Sequence, residues 1–313
     1  MSRSFPVLYI QGEQLYMFMG IFAAALTALL QSFSYISSAA FNKRYDSSFK
    51  LMIYSQFAMG VVSVPISLIF FPAGLLETPV ASTLWMILWI LITCAGQYFF
   101  FATQKEIESS RLSSLLGLKI VVLAVITMAF SRQMIPFPRI IAILLATVGA
   151  VCMNGGKATR RVSLKAVLLL ASTVVTYCVA DLVETKLLNM SRTGNIWCDG
   201  LGVCATCYML LGILMIPLFK KIGFSGEQLK CATPYGVLYF FSQVALFVSF
   251  GLVGPVFANV VQSSRGMISV AIGVLLCQLG FSSLDVKGDR KLWIRRFICS
   301  GIMTAAIIIY ACA

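Results

Sequence analysis

The 313-residue sequence contains no histidine, and only 11% of its residues are charged. Without an imidazole there is no histidine proton relay, no Ser-His-Asp triad and no histidine metal ligand. Acids are the scarcest charge: Asp and Glu number 11 against 24 Lys and Arg, a formal net charge of +13. A typical soluble domain carries about 25% charged residues. A chain with 59% apolar residues could not bury them all and still cover itself with polar groups. Composition therefore disfavours a soluble enzyme, a disordered tail and a disulfide-stapled secreted domain. A phosphate-cradling G-x-x-x-x-G-K-[ST] loop is also missing, which argues against direct ATP drive.

Long apolar runs are abundant. Ten lie near 15–38, 51–72, 82–104, 109–131, 137–154, 164–184, 198–219, 233–252, 256–281 and 292–312. A helix crosses a bilayer in roughly 20 residues, and runs of this length fit helices rather than the alternating decamers of a barrel. The expected fold is an all-α integral membrane protein with ten transmembrane helices. Short connections make neighbouring spans antiparallel hairpins. The first run is too long and too polar for a cleaved signal peptide. Most of the ten cysteines fall inside apolar runs and read as packing residues. Cys204-x-x-Cys207 has redox spacing but sits within a span. No cofactor, metal site or catalytic residue is expected.

The polar linker 155–163 (GGKATRRVS) falls at the midpoint of the chain. It divides the sequence into residues 1–156 and 157–313, with five spans each. An odd number of spans per half makes the halves inversely oriented. The halves also resemble each other. A shift of 146 lays the third and fourth spans on the eighth and ninth, with Gln97 on Gln243, Phe101 on Phe247 and Lys119 on Arg265. A shift of 157 puts Arg139 on Arg296 and Thr147 on Thr304; one of 142 puts Tyr35 on Tyr177. Matches kept in order along both halves point to duplication. Two inverted five-helix repeats can exchange conformations, opening a central site to alternate sides.

Two stretches carry a family resemblance. GLKIVVLAVITMAFSRQMIPFPRIIAILLATVGAV (117–151) is similar to the fourth and fifth spans of nucleotide-sugar transporters, including a Leu-Lys-Ile run. QSSRGMISVAIGVLL (262–276) resembles their ninth span, in which a basic residue precedes Gly. The Pro-Val-Phe run within Gly254–Phe257 is like that of bacterial EamA-type proteins. The chain thus resembles the drug/metabolite transporter (DMT) superfamily over nearly its whole length. The resemblance implies that Lys119 and Arg265 help to hold a substrate phosphate.

The residues themselves make Lys119 and Arg265 the first site candidates. A Lys or Arg at the centre of a spanning helix costs about 2.5–3.5 kcal/mol, which folding alone does not require. Two cations facing one cavity would bind an organic anion, Arg as a fork and Lys as a point charge. The alternative is neutralisation by a carboxylate such as Asp181 or Glu108. Asp181 could also carry a coupling proton, while Glu184 reads as an interfacial helix end beside Lys186. Gln97 and Gln243 are repeat mates. Asn259, Gln262, Gly266, Ser269 and Gly273 form a small polar stripe on one helix face, fit either to line a cavity or to let helices pack closely. Tyr35 and Tyr177 could bond to or stack on a substrate. Pro65 and Pro255 could break spans near it.

Seventeen basic residues fall on the side of the loops that follow odd-numbered spans, and five on the terminal side. The positive-inside rule then puts both termini outside, whereas the resemblance implies cytosolic termini. The same distribution accounts for +13 through topology signals, not nucleic-acid binding. The expected function is a secondary transporter of a small organic anion, phosphorylated and nucleotide-linked metabolites included, working by alternating access and exchange. A proton-coupled exporter of amino acids or other metabolites is the alternative. A membrane enzyme acting on a lipid-linked substrate is a weaker one. The expected partners are a small-molecule substrate and the lipid bilayer, for a monomer or homodimer in a bacterial cytoplasmic membrane or, alternatively, a eukaryotic endomembrane.

Overall fold

The computed structural model describes residues 5–107, 112–113, 115–131, 136–152, 163–191 and 193–266, with scattered residues from 268 to 309. Among them every regular element is helical. The helices are α1 (Phe5–Tyr45), α2 (Ser48–Ile69), α3 (Pro79–Glu106), α4 (Lys119–Ser131), α5 (Phe137–Cys152), α6 (Leu164–Met190), α7 (Ile196–Met215), α8 (Gly226–Val253) and α9 (Pro255–Gln262). Short 3-10 turns at Ala73–Leu76 and Leu116–Leu118 and a five-residue helix, Leu218–Ile222, punctuate them. Polar side chains start several of the helices. Ser47, Ser163, Asn195 and Ser225 each accept a backbone N–H of the first turn of α2, α6, α7 and α8, satisfying donors that a helix start leaves free.

Among the described residues six helices are long and apolar enough to cross a membrane: Gln14–Tyr45, Ser48–Ile69, Pro79–Glu106, Leu164–Met190, Ile196–Met215 and Gly226–Val253. Their packing is the reverse of a soluble protein's. Leu68, Ile69, Val80 and Leu164 each expose about three quarters of their surface, while Gln31, Gln56, Gln97, Gln243 and Asn259 are buried. Outward aliphatic groups and inward amides suit lipid outside and a hydrogen-bonded interior. The chain is a multi-pass membrane protein.

Several expected boundaries move. The sixth span, placed at 164–184, continues to Met190. Asp181 and Glu184 depress local hydropathy, but both carboxylates turn inward and the helix has no reason to stop there. The fourth span is not continuous from 109 to 131. A 3-10 turn precedes it, and Lys119 is the first residue of α4. Gly254, at φ 79°, ends α8 and admits Pro255 at the start of α9. Only Gly adopts that φ without strain, so the eighth and ninth spans meet at a sharp break. Pro65, by contrast, lies inside α2. The tenth span, 292–312, and the later part of the ninth fall mostly outside the described residues, as do Glu108, Ser269 and Gly273.

Three antiparallel pairs build the bundle, and each joins an early helix to a late one: α1 with α8, α2 with α7, and α3 with α6. Gly60 of α2 and Gly212 of α7 cross backbone to backbone; a Cβ on either would stand 2.5 Å from the other's Cα. Charged residues close one end of the bundle. There Arg44 lies 3.8 Å from Glu227, Lys105 lies 2.8 Å from Asp46, and Lys165 lies 2.6 Å from Glu106.

Candidate binding site

Between the three pairs lies a small cavity bordered by α1, α3, α4, α6, α7 and α8 and by residues at and just beyond the end of α9. It leaves about 30 Å³ to the centre of a water-sized sphere, room for one or two waters. Lys119 and Arg265 both reach it, as do Tyr35, Tyr177, Asp181, Gln243 and Gln262. Seven of the nine residues singled out from the sequence therefore share one chamber.

The two cations are treated differently. Lys119 Nζ sits 2.8 Å from Oδ1 and 2.7 Å from Oδ2 of Asp181. Asn259 Nδ2 donates to the same Oδ2 at 2.7 Å. With Lys119 7% exposed and Asp181 3%, this is a buried ion pair whose acceptor oxygens are occupied. Lys119 also lies 5.7 Å from the centre of the Tyr177 ring, close enough for a cation–π contact. Its backbone carbonyl also accepts from Cys178 Sγ at 3.4 Å, which ties α4 to α6.

Arg265 makes no ion pair among the described residues. Its Nη1 donates to Gln31 Oε1 at 2.5 Å and to Tyr35 Oη at 3.2 Å, and the guanidinium lies 5.3 Å from the centre of the Tyr35 ring. Gln262 Nε2 donates to the same Gln31 oxygen at 3.2 Å. Arg265 Nε has no partner among the described residues. A cation 5% exposed is thus held by neutral dipoles and an aromatic face. Hydrogen bonds to neutral groups offset its desolvation only partly, so an incoming anion would meet a charge that no described residue pairs directly.

Two of the nine lie elsewhere. Asn259 stands behind Asp181 as its hydrogen-bond donor. Gln97 faces α8, where its Oε1 accepts from Tyr235 Oη at 2.8 Å; Gln243 lines the chamber. Several lining residues were not foreseen. Glu184 is not an interfacial helix end: it is 4% exposed, its Oε1 accepts from Trp89 Nε1 at 3.0 Å, and its Oε2 has no partner. Its place follows from the extra length of α6. The signal was present in the spacing, since Tyr177, Asp181 and Glu184 fall four and three residues apart on one helix face. Gln31 stands four residues before Tyr35 in the same way. Thr93, Tyr208 and Tyr239 complete the polar lining, and nothing local distinguishes them from packing residues. Cys204 and Cys207 are buried free thiols.

No protein-family model matches the chain, and no curated protein does. A solved structure known only as "Crystal structure of protein" superposes with a TM-score of 0.57 at 14% identity. That match covers 96% of this chain and 97% of the other. The likeness is one of fold alone, and it runs essentially end to end.

Proposed function

We propose that this chain is a secondary transporter that binds a small organic anion between two inverted five-span halves. One observation carries the reading: Lys119 and Arg265, repeat mates in the sequence, line a single buried chamber, and Arg265 makes no ion pair among the described residues. Sugar phosphates and nucleotide-linked metabolites have the chemistry for that site, since a guanidinium matches phosphate or carboxylate oxygens two at a time.

The packing supports the inverted repeat. A two-fold relation that exchanges the halves would turn α1 against α8 into α6 against α3, and α2 against α7 into itself. These are the three principal pairs of the bundle. At the Gly60–Gly212 crossing, Gly60 approaches the carbonyl of Tyr208, four residues before Gly212; Gly212 approaches that of Gln56, four residues before Gly60. A local two-fold at that crossing is what ten spans arranged as two exchanging halves require. Membership in the drug/metabolite transporter superfamily and termini outside the membrane belong to the same proposal.

A chamber with room for one or two waters is far smaller than the 300–1,000 Å³ of ordinary ligand sites. The arrangement is therefore a closed one, and substrate entry requires the helix pairs to part. The Lys119–Asp181 bond is a natural latch: an anion that engages Lys119 competes with Asp181 and loosens α4 from α6.

A thermal-shift screen of the purified full chain against nucleotide sugars, nucleotides, sugar phosphates and amino acids identifies the ligand class. Uptake into liposomes then tests the site. Lys119→Ala and Arg265→Ala should each lower binding roughly 10- to 100-fold, the range of one lost charge-assisted hydrogen bond. Full transport activity in both variants would remove the proposal.

A further inference from the structure

We infer that Glu184 is the proton-binding site of the chamber, taking one proton on Oε2 and returning it to water. The inference deepens the transporter reading and rests on it for its use in coupling, although the proton site can be observed without any transported compound.

The neighbouring acid is poorly placed for this role. Both oxygens of Asp181 bond Lys119 Nζ, and Oδ2 also accepts from Asn259. A proton added there would displace a buried ammonium from its counter-ion. Glu184, one turn along α6, has only the Trp89 indole on Oε1. Its other oxygen is buried and has no hydrogen-bond partner among the described residues, and Glu184 lines the chamber. A carboxylate left so is badly solvated, whereas a carboxylic acid has one O–H to place and keeps the Trp89 bond on its other oxygen. The groups facing Glu184 are Asp181 on its own helix, Lys119 from α4, Trp89 from α3, Cys204, Cys207 and Tyr208 from α7, and Tyr239 from α8. Lys119 is already matched by Asp181, so no unmatched cation within that set holds Glu184 ionised. Arg265 shares the chamber. Protonation of Glu184 removes one negative charge from the room that Arg265 offers to an anion, so proton and anion bind together. Release on the far side returns both. No bond other than O–H forms or breaks.

Infrared difference spectra of the reconstituted full chain between about pH 5 and about pH 9 test this, a window in which ordinary carboxylates with pKa near 4 stay ionised. Wild type should gain one carboxylic-acid equivalent on acidification, and Glu184→Gln none. A band that survives in Glu184→Gln, or its absence from wild type, overturns the inference. A second measurement covers the event that Glu184→Gln does not fold. In a variant that keeps Trp89 and has Trp85, Trp197 and Trp293 replaced by Phe, indole emission should titrate over the same window. Flat Trp89 emission would refute the assignment. Should the band behave as expected while Lys119→Ala and Arg265→Ala transport normally, the proton site stands and the anion site falls.

Discussion

The Lys119–Asp181 bond permits a quantitative test through a double-mutant cycle. With Nζ–O distances of 2.7 and 2.8 Å and an effective dielectric constant near 20, the attraction is about 6 kcal/mol. Desolvation of two side chains that are 8% and 4% exposed consumes much of it, so the pair adds little net stability. Breaking it is another matter. Lys119→Met strands a buried carboxylate and Asp181→Leu strands a buried ammonium, each at about 3–5 kcal/mol. Replacing both leaves no unpaired charge, and Asn259 Nδ2 keeps its bond to the Pro255 carbonyl at 2.7 Å. The double variant should therefore lie within about 1 kcal/mol of wild type, a coupling of about 5 kcal/mol or more. Unfolding in mixed micelles titrated with dodecyl sulfate measures all four proteins under one condition. Single variants within about 1 kcal/mol of wild type, or losses that simply add, would refute the view that Lys119 is matched by Asp181. The double variant has a second use. It should be folded yet bind anions weakly, which separates stability from recognition.

Other consequences follow from the packing and from the charged end of the bundle. Gly60→Ala places its Cβ 2.5 Å from the Gly212 Cα, and Gly202→Ala places one against the Phe70 carbonyl. Each should cost about 1–3 kcal/mol by overpacking, seen as a lower thermal midpoint, whereas Gly226→Ala, with nothing within 4 Å, should be neutral. Trp89→Phe removes the donor to Glu184 and should destabilise by about 1–3 kcal/mol in the micelle assay. At the exposed end, the hydrogen bond from Lys105 holds the Asp46 carboxyl below its ordinary value of 3.8. A depressed acid contributes stability above its unfolded value and loses it as pH falls through the folded one. Wild type should thus lose, below about pH 4, a small salt-sensitive increment of thermal midpoint that Asp46→Asn lacks at every pH.

The class of the protein was legible from its residues: ten apolar runs and few charges leave a helical membrane protein as the one economical solution, and six of those runs recur as helices long enough to span. That Lys119 and Arg265 share a chamber was also hinted at, because the two coincide when one half of the sequence is laid on the other. What each cation touches was not. Gln31, Asp181 and Asn259 come from α1, α6 and α9, more than sixty residues away from the cations they serve or far along the chain from one another, and no periodicity reports a distance between helices. Glu184 shows the limit most clearly. Hydropathy scores an acid as an end of a span, since it weighs each side chain against lipid. The folded bundle instead weighs it against Trp89 and a polar chamber that exist only once α3, α6 and α7 have met. Local chemistry fixes which segments enter the bilayer; which charges find partners there, and which stay open to a ligand, is decided by the crossing of helices distant in sequence.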